Sequence, residues 1–292
     1  MFHIATVILL TLTVICGSHG MGWFSRDGVC VASAPCTCHP NEILCSGLQL
    51  RAMPTFIPRD VSNESEAGGH MSNAFFQMYS NNIEVINDRA FCNLTFALST
   101  RVYMFLQSNA ISSMADNAFD CIQNNVHYIV LQNNRLTALP VAMRKLTNLK
   151  ELYLENNPLV RLNPLVMKQL GPTLTNLHLD LDRFSKWPSE LSHSRVLWSL
   201  EANNITFPSI PEDGFPGFPS SLKGLRFHNS RLTSLPRSLC RISLLLLAQV
   251  EVLEPIDLKD IVPCVRKVQI TMNESNGLLE YFIETRNVTK SN

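Results

Sequence analysis

A frame of eight residues recurs through most of this chain, and it limits the fold more than any other feature. In the stretch YIVLQNNRLTALP, Tyr128 to Pro140, Ile129 and Leu131 alternate as in a strand, two asparagines interrupt, and Leu136 and Leu139 resume three apart. Centred on the second asparagine, Asn134, the frame has apolar residues five and three places before it and two places after. Asn81 fits with Phe76, Met78 and Ile83, Asn109 with Met104, Leu106 and Ile111, and Asn157 with Leu152, Leu154 and Leu159. Asn203 is taken as a further centre, with Trp198, Leu200 and Ile205. Asp182, Ser230 and Val250 keep the apolar frame without the asparagine. A last copy sits at Asn273, and an amino-terminal one, LCSGLQLRAMP, places Leu48 at the centre. The steps between centres are then 33, 28, 25, 23, 25, 21, 27, 20 and 23 residues.

Each part of the frame has a physical reason. Residues two apart lie on one face of a strand, so Ile129 and Leu131 are predicted to point inward and Tyr128, Val130 and Gln132 outward. Such a unit buries its apolar face only against its neighbours, so the strands stack into a parallel sheet along the concave side of a solenoid. An inward asparagine after the strand satisfies backbone groups that the turn leaves unpaired, a structural role rather than a chemical one. Leu139-Pro140, Trp187-Pro188 and Leu235-Pro236 bend the return path, because proline fixes φ and lacks a donor. Period and pattern match the leucine-rich repeat, L-x-x-L-x-L-x-x-N-x-L. The expected fold class is an α/β repeat solenoid, a horseshoe with a concave parallel sheet and an irregular or short-helical convex side.

The compartment follows from the ends and the cysteines. Ile4 to Cys16 is an uninterrupted run of apolar residues and threonines, too short to span a bilayer, and Ser18-His19-Gly20 supplies a small-x-small cleavage site. Residues 1–20 are read as a signal peptide, in preference to a buried strand or helix at a domain's start. No later stretch approaches the ~20 apolar residues of a spanning helix, and the polar end YFIETRNVTKSN argues against a lipid-anchor tail. Of nine cysteines, Cys16 lies in the signal, leaving an even eight. Sequons at Asn63, Asn93, Asn204, Asn273 and Asn287 are permitted by an extracellular route. The 24 basic residues balance 24 acidic ones, which offers no argument for non-specific binding to nucleic acid or to an acidic membrane, and no nucleic-acid partner is expected. The protein is expected to be secreted and extracellular.

Cys30-x5-Cys36-x-Cys38-x6-Cys45, followed by SGLQLRAMP, resembles the cysteine-rich amino-terminal cap of extracellular leucine-rich-repeat proteins. That family includes axon-guidance and Nogo-receptor-like ectodomains and the small leucine-rich proteoglycans. With the repeats, the resemblance covers residues 30 to about 275. Spacing alone leaves three connectivities of four cysteines open, and Cys36-x-Cys38-His39 offers a zinc reading that an oxidising compartment disfavours. The resemblance implies Cys30–Cys38 and Cys36–Cys45. Cys92 and Cys121 occupy nearly equivalent places in adjacent repeats, so a bond between them would staple two turns on the convex side. Cys240 and Cys264 stand one repeat apart near the far end and could close it. The family's usual four-cysteine carboxy-terminal cap is not visible. The expected organisation is signal 1–20, cap 21–50, repeats 51–275 and tail 276–292.

Function in such a solenoid lives on the outward strand residues, since packing uses the rest. Phe75, Tyr79, Tyr103, Phe105, Tyr128 and Tyr153 fall there in consecutive repeats and make an aromatic field over the amino-terminal half. Glu155, Asp180 and Glu201 are expected to line up beside it as an acidic column, with Leu197 and Ser199 outward on the strand of Glu201. His178 and His228 lie on the same face without evident ligand partners and are expected to be solvated. Tyrosine joins large contact area to few rotatable bonds and a polar tip, and is enriched in binding hot spots. The competing reading is that tyrosines stack across strands for stability, but an exposed aromatic patch on a soluble protein usually has an occupant. There is no nucleophile motif, phosphate loop or paired-carboxylate site, and neither a cofactor nor a metal is expected. The expected function is non-enzymatic recognition of an extracellular protein ligand or receptor, on this face, in cell-surface signalling, adhesion or innate recognition. The alternative is a matrix component like the small leucine-rich proteoglycans, binding collagen or glycosaminoglycan.

Overall fold

The computed structural model describes residues 25–26, 29–57, 72–94, 96–215, 222–242, 247–252, 256–257, 259, 261, 267–274 and 277–284. The expected signal segment, the sequons at Asn63 and Asn287 and the cysteine at 264 lie outside them.

A short antiparallel ribbon, β1 (Ser25–Arg26) with β2 (Val29–Cys30), opens the described chain. The hairpin β3 (Thr37–His39) and β4 (Glu42–Leu44) starts the main sheet. From β4 the pairing turns parallel and runs through β5 (Asn73–Gln77) and, past the separate short strand β6 (Val85–Ile86), to β7 (Arg101–Phe105). Strand β8 (Ser113–Met114) pairs only with β6, in parallel on the return path. The main sheet continues through β9 (Val126–Val130), β10 (Glu151–Tyr153), β11 (Asn176–Asp180), β12 (Ser199–Asn203), β13 (Gly224–Ser230), β14 (Leu247–Val252) and β15 (Lys267–Glu274). Strand β16 (Gly277–Glu284) closes it by pairing antiparallel with β15. Among the described residues, twelve strands thus form one sheet. The fold is the expected repeat solenoid, but the end of the sheet lies at Glu284, so a tail beginning at residue 276 would cut a hairpin.

Register across the sheet puts Ile43, Phe76, Met104, Ile129, Leu152, Leu177, Leu200, Leu225, Ala248 and Val268 in one line. The steps along that line are 33, 28, 25, 23, 25, 23, 25, 23 and 20 residues. This corrects two centres. Leu200 is the counterpart of Ile129, so the turn position of its repeat is Ile205 and not Asn203. Val250 pairs with Phe227, within the strand rather than at the turn. Burial agrees: Leu197 and Ile205 are sealed, whereas Trp198, expected inside, is 51% exposed with the Lys223 ammonium 5.7 Å from its ring centroid. A two-residue slip leaves strand alternation intact, which is why the apolar pattern alone accepted it.

The paired asparagines divide one task. Ser80, Ser108, Asn133, Asn156, Asn204 and Asn229 all have positive φ between 50° and 57°, a region that asparagine tolerates better than most residues. The second residue then plugs the turn. Asn134 accepts from Ile111 N–H and donates to the carbonyls of Leu106 and Leu131. Asn157 does the same with Leu136 N–H, Leu131 and Leu154. Asn81 and Asn109 repeat the pattern.

The return path alternates. Pro140, Pro188 and Pro236, each 48 residues from the next, immediately precede the 3-10 helices Val141–Lys145, Ser189–His193 and Arg237–Arg241. Between the first two lies α1 (Pro164–Leu170), with Asn163 as its cap accepting from the N–H groups of Leu165 and Val166. The structural unit is therefore two repeats, one of 25 and one of 23 residues. Gly171 follows α1 because nothing larger fits: a Cβ there would lie 2.0 Å from the His193 carbonyl oxygen.

The core runs the length of the solenoid between sheet and return path. Each fully buried leucine or isoleucine of the line contributes about 1.5–3 kcal/mol. At the amino-terminal end the filling is aromatic, with Phe56, Phe76 and Phe91 in mutual ring contact and Phe119 against Phe91. Disulfides join Cys30 to Cys38, Cys36 to Cys45 and Cys92 to Cys121, so no thiol of the cap is left for a metal. Cys240 is also disulfide-bonded.

Candidate functional site

The first three outward positions of each strand form rows that cross the sheet. Phe75, Tyr103 and Tyr128 are aligned directly by strand pairing, and Glu151 continues that row. Their rings touch in sequence: Phe75 and Tyr103 stack at 5.1 Å, Tyr103 and Tyr128 lie 5.8 Å apart, and Tyr128 meets Tyr153 of the neighbouring row at 5.2 Å. Phe105 flanks Tyr128 at 5.5 Å, and the Tyr153 ring passes contact to His178 at 4.5 Å. All of these side chains are half-buried. Tyr79 is half-buried too, but stands past the end of β5, outside this chain of rings.

The phenols are tied to carboxylates. Tyr153 donates to Glu151 Oε2 at 2.8 Å. Burial raises the Tyr153 pKa far above the ordinary phenol value, and the Glu151 carboxylate pushes it the same way. Burial also raises that of Tyr128, with the Glu151 and Glu155 carboxylates adding to the rise against a lowering by the neighbouring Tyr153 hydroxyl. Both phenols stay neutral through the physiological range.

The charged half differs from expectation. Glu201 pairs in register with His178 and Arg226, in the second row, because β12 is shifted by two residues from the assumed alignment. Ser199, expected in the second row, stands in the first and is nearly sealed, and Leu197 faces the core. Glu155, Asp180 and Glu201 are therefore no column. Asp180 is buried and its Oδ2 accepts from Asn156 N–H at 2.6 Å. Burial raises its pKa, with Asp182 and Glu155 adding to the rise against hydrogen bonds that lower it. It holds a turn rather than facing outward.

His178 is likewise not a free, solvated histidine. Its Nδ1 lies 3.3 Å from Glu155 Oε1 and 3.5 Å from Glu201 Oε2. His228 Nε2 stands 3.9 Å from the other oxygen of Glu201. Burial opposes ionisation of Glu155, but the His178 hydrogen bond, backbone donors and Gln132 outweigh it and hold the pKa below the usual range. The sequence signal that would have found this cluster is the 48-residue spacing of the prolines, which places Ile205, not Asn203, at the turn.

Beside the rows, on the turn side, runs an open polar groove of about 710 Å³ lined in part by Arg135, Asp182, Arg183 and Arg231. Of the candidate glycan sites, Asn93 is exposed although its amide donates to the Phe56 carbonyl. Asn204 is half-buried and accepts from Asn229. The backbone of Asn273 pairs within the terminal hairpin.

The leucine-rich-repeat family model matches residues 102–159, the stretch that carries the Asn109, Asn134 and Asn157 plugs. Sheet, period and plug agree with it. This chain is a leucine-rich-repeat protein with a disulfide-bonded amino-terminal cap. Among curated relatives of this solenoid, chicken lumican is 24% identical over 70% of this chain and 61% of its own length. Mouse podocan is 26% identical over 83% of this chain and 45% of its own. Bovine fibromodulin is 31% identical over 63% and 51%. The chain thus spans about half to three-fifths of these relatives. Among solved structures, the leucine-rich effector YopM of Yersinia pestis aligns with 80% of this chain and 56% of its own at 14% identity, with a TM-score of 0.44. No helix among the described residues is long and apolar enough to cross a membrane.

Proposed function

We propose that this solenoid is a secreted, non-enzymatic binding protein that recognises an extracellular protein through the amino-terminal half of its concave face. The observation that carries the reading is the run of half-buried rings from Phe75 through Tyr103 and Tyr128 to Tyr153, bordered by Glu151. Rings already held against one another lose little further freedom on binding, and the Tyr128 phenol, kept neutral, can donate a hydrogen bond to a partner. Glu151 and Glu201 give the rim negative charge, which suits a partner with basic side chains near its apolar contacts. Sheet stability and binding are not exclusive roles for these tyrosines, since rings that stack within a row still present an edge.

A second reading is a matrix component that binds collagen or glycosaminoglycan. The likenesses to lumican, podocan and fibromodulin favour it. The two readings part on partner class. A screen of the purified, glycosylated protein against extracellular receptors, collagens and glycans tests both. A receptor that binds wild type, and binds the folded triple variant Tyr103→Ala, Tyr128→Ala, Tyr153→Ala at least tenfold less well, supports the first. Binding confined to collagen or glycan, and kept by the triple variant, supports the second.

A further inference from the structure

The cluster on the charged half carries an inference that stands apart from the partner-binding role of the rings. Glu155, His178 and Glu201 come from three successive strands, β10 to β12 or the residues just after them, and each turns one donor atom to a common point. Those atoms all lie within 4.8 Å of one another. Two features separate this arrangement from an ordinary surface ion pair. The first is distance. The His178 Nδ1 separations of 3.3 and 3.5 Å are long for charge-assisted hydrogen bonds, which run at roughly 2.7–2.9 Å. They suit neighbouring ligands of a tetrahedral ion whose bonds are about 2.0–2.2 Å.

The second is an unmet need for positive charge. Glu155 is 8% exposed; its Oε1 faces His178, and its Oε2, sealed from solvent on the same carboxylate, has no hydrogen-bond partner. Gln132, two residues past β9, hydrogen-bonds the carboxylate but does not reach that oxygen. Asn203 Oδ1, two residues after Glu201, is another sealed acceptor without a partner. A buried carboxylate oxygen left unpaired is costly, and a cation bound at the carboxylate offsets part of that cost.

We propose that Glu155, His178 and Glu201 form a site for a divalent transition-metal ion of the zinc type on the concave face. One imidazole nitrogen with two carboxylates is a donor set for zinc rather than for calcium, which takes six to eight oxygens. Three protein ligands would leave a fourth place for water or an external donor atom. Tyr153, whose ring lies tilted against that of His178 at 4.5 Å, restrains the imidazole, as outer contacts do for metal-bound histidines.

The test is calorimetric titration of the chelator-stripped full chain with zinc ion alone. Wild type is expected to take up one ion at this site. Glu155→Gln, His178→Asn and Glu201→Gln should each weaken it by at least the roughly 10- to 100-fold that loss of an outer contact costs. His39→Asn, in the exposed β3–β4 hairpin, should leave it unchanged. Folding of every variant is checked by circular dichroism. Should Glu155→Gln misfold, the more accessible Glu201→Gln and His178→Asn carry the test. Zinc binding equal to wild type in a folded His178→Asn, or lost in His39→Asn alone, overturns the proposal, as does no uptake by wild type. The triple tyrosine result bears only on the protein-binding role.

Discussion

The repeats centred on Asn109, Asn134 and Asn157 and those centred on Asp182, Ile205 and Ser230 build the same strand and turn from different chemistry. In the first group the turn is closed by an amide that serves backbone groups of two neighbouring turns. In the second, Ile205 seals the turn by apolar burial. Ser230 sits there with a buried hydroxyl that has no partner. The outward rows change at the same place, from rings to carboxylates and histidines. A solenoid tolerates this because each repeat answers only to its neighbours. Register is a property of the whole sheet, whereas the plug is a local choice.

That contrast can be broken most forcefully at Asn157. Asn157→Ala strands Leu136 N–H and the carbonyls of Leu131 and Leu154 in a sealed turn. Equilibrium urea unfolding should show a loss of about 3 kcal/mol. A loss under about 1 kcal/mol would mean the amide plug matters no more than the apolar one.

Gly171→Ala probes the convex side between α1 and the following 3-10 helix. The added Cβ meets a carbonyl that cannot rotate away, so about 2 kcal/mol should be lost in the same assay. No change would show that the return path adjusts freely and that the sheet alone sets the repeat.

The ring half should also differ in alkali. Burial raises the pKa of Tyr128 and Tyr153, so their folded-state values exceed the unfolded one of about 10. Stability from these phenols is fully present below pH ~10 and is lost as pH climbs from there through the folded values. Spectrophotometric titration should show delayed ionisation for these two, and Tyr128→Phe should remove one delayed step. The smallest effect is expected in the second group of repeats. Ser230→Ala removes an unpaired buried hydroxyl and should change unfolding free energy by no more than about 0.5 kcal/mol, in either direction.

Most of the fold could be read from the chain because the asparagine plug is specific. From Asn81 to Asp182 the frame and the strand register agree residue for residue. Legibility failed where the plug became apolar. Asn203 and Ile205 both fit the frame, and the asparagine drew the alignment two residues early. Asn203-Asn204 copies the look of Asn133-Asn134, but it is Asn204 that has positive φ, in the place of Asn133. The rings were on the right side of the sheet from alternation alone. Their mutual contact, the burial of Asp180 and the meeting of Glu155, His178 and Glu201 were not legible, because each depends on which strand residue stands beside which.

The most direct test of the central claim pits the two sides of the solenoid against each other with one bound receptor. The concave variant replaces Tyr103, Tyr128 and Tyr153 by alanine. The convex variant replaces the exposed Leu98, Val160 and Leu165 by serine. Affinity of each folded variant is measured beside wild type. The account predicts a loss of at least tenfold for the concave variant and less than a twofold change for the convex one. Full affinity in the concave variant with loss in the convex one would contradict it.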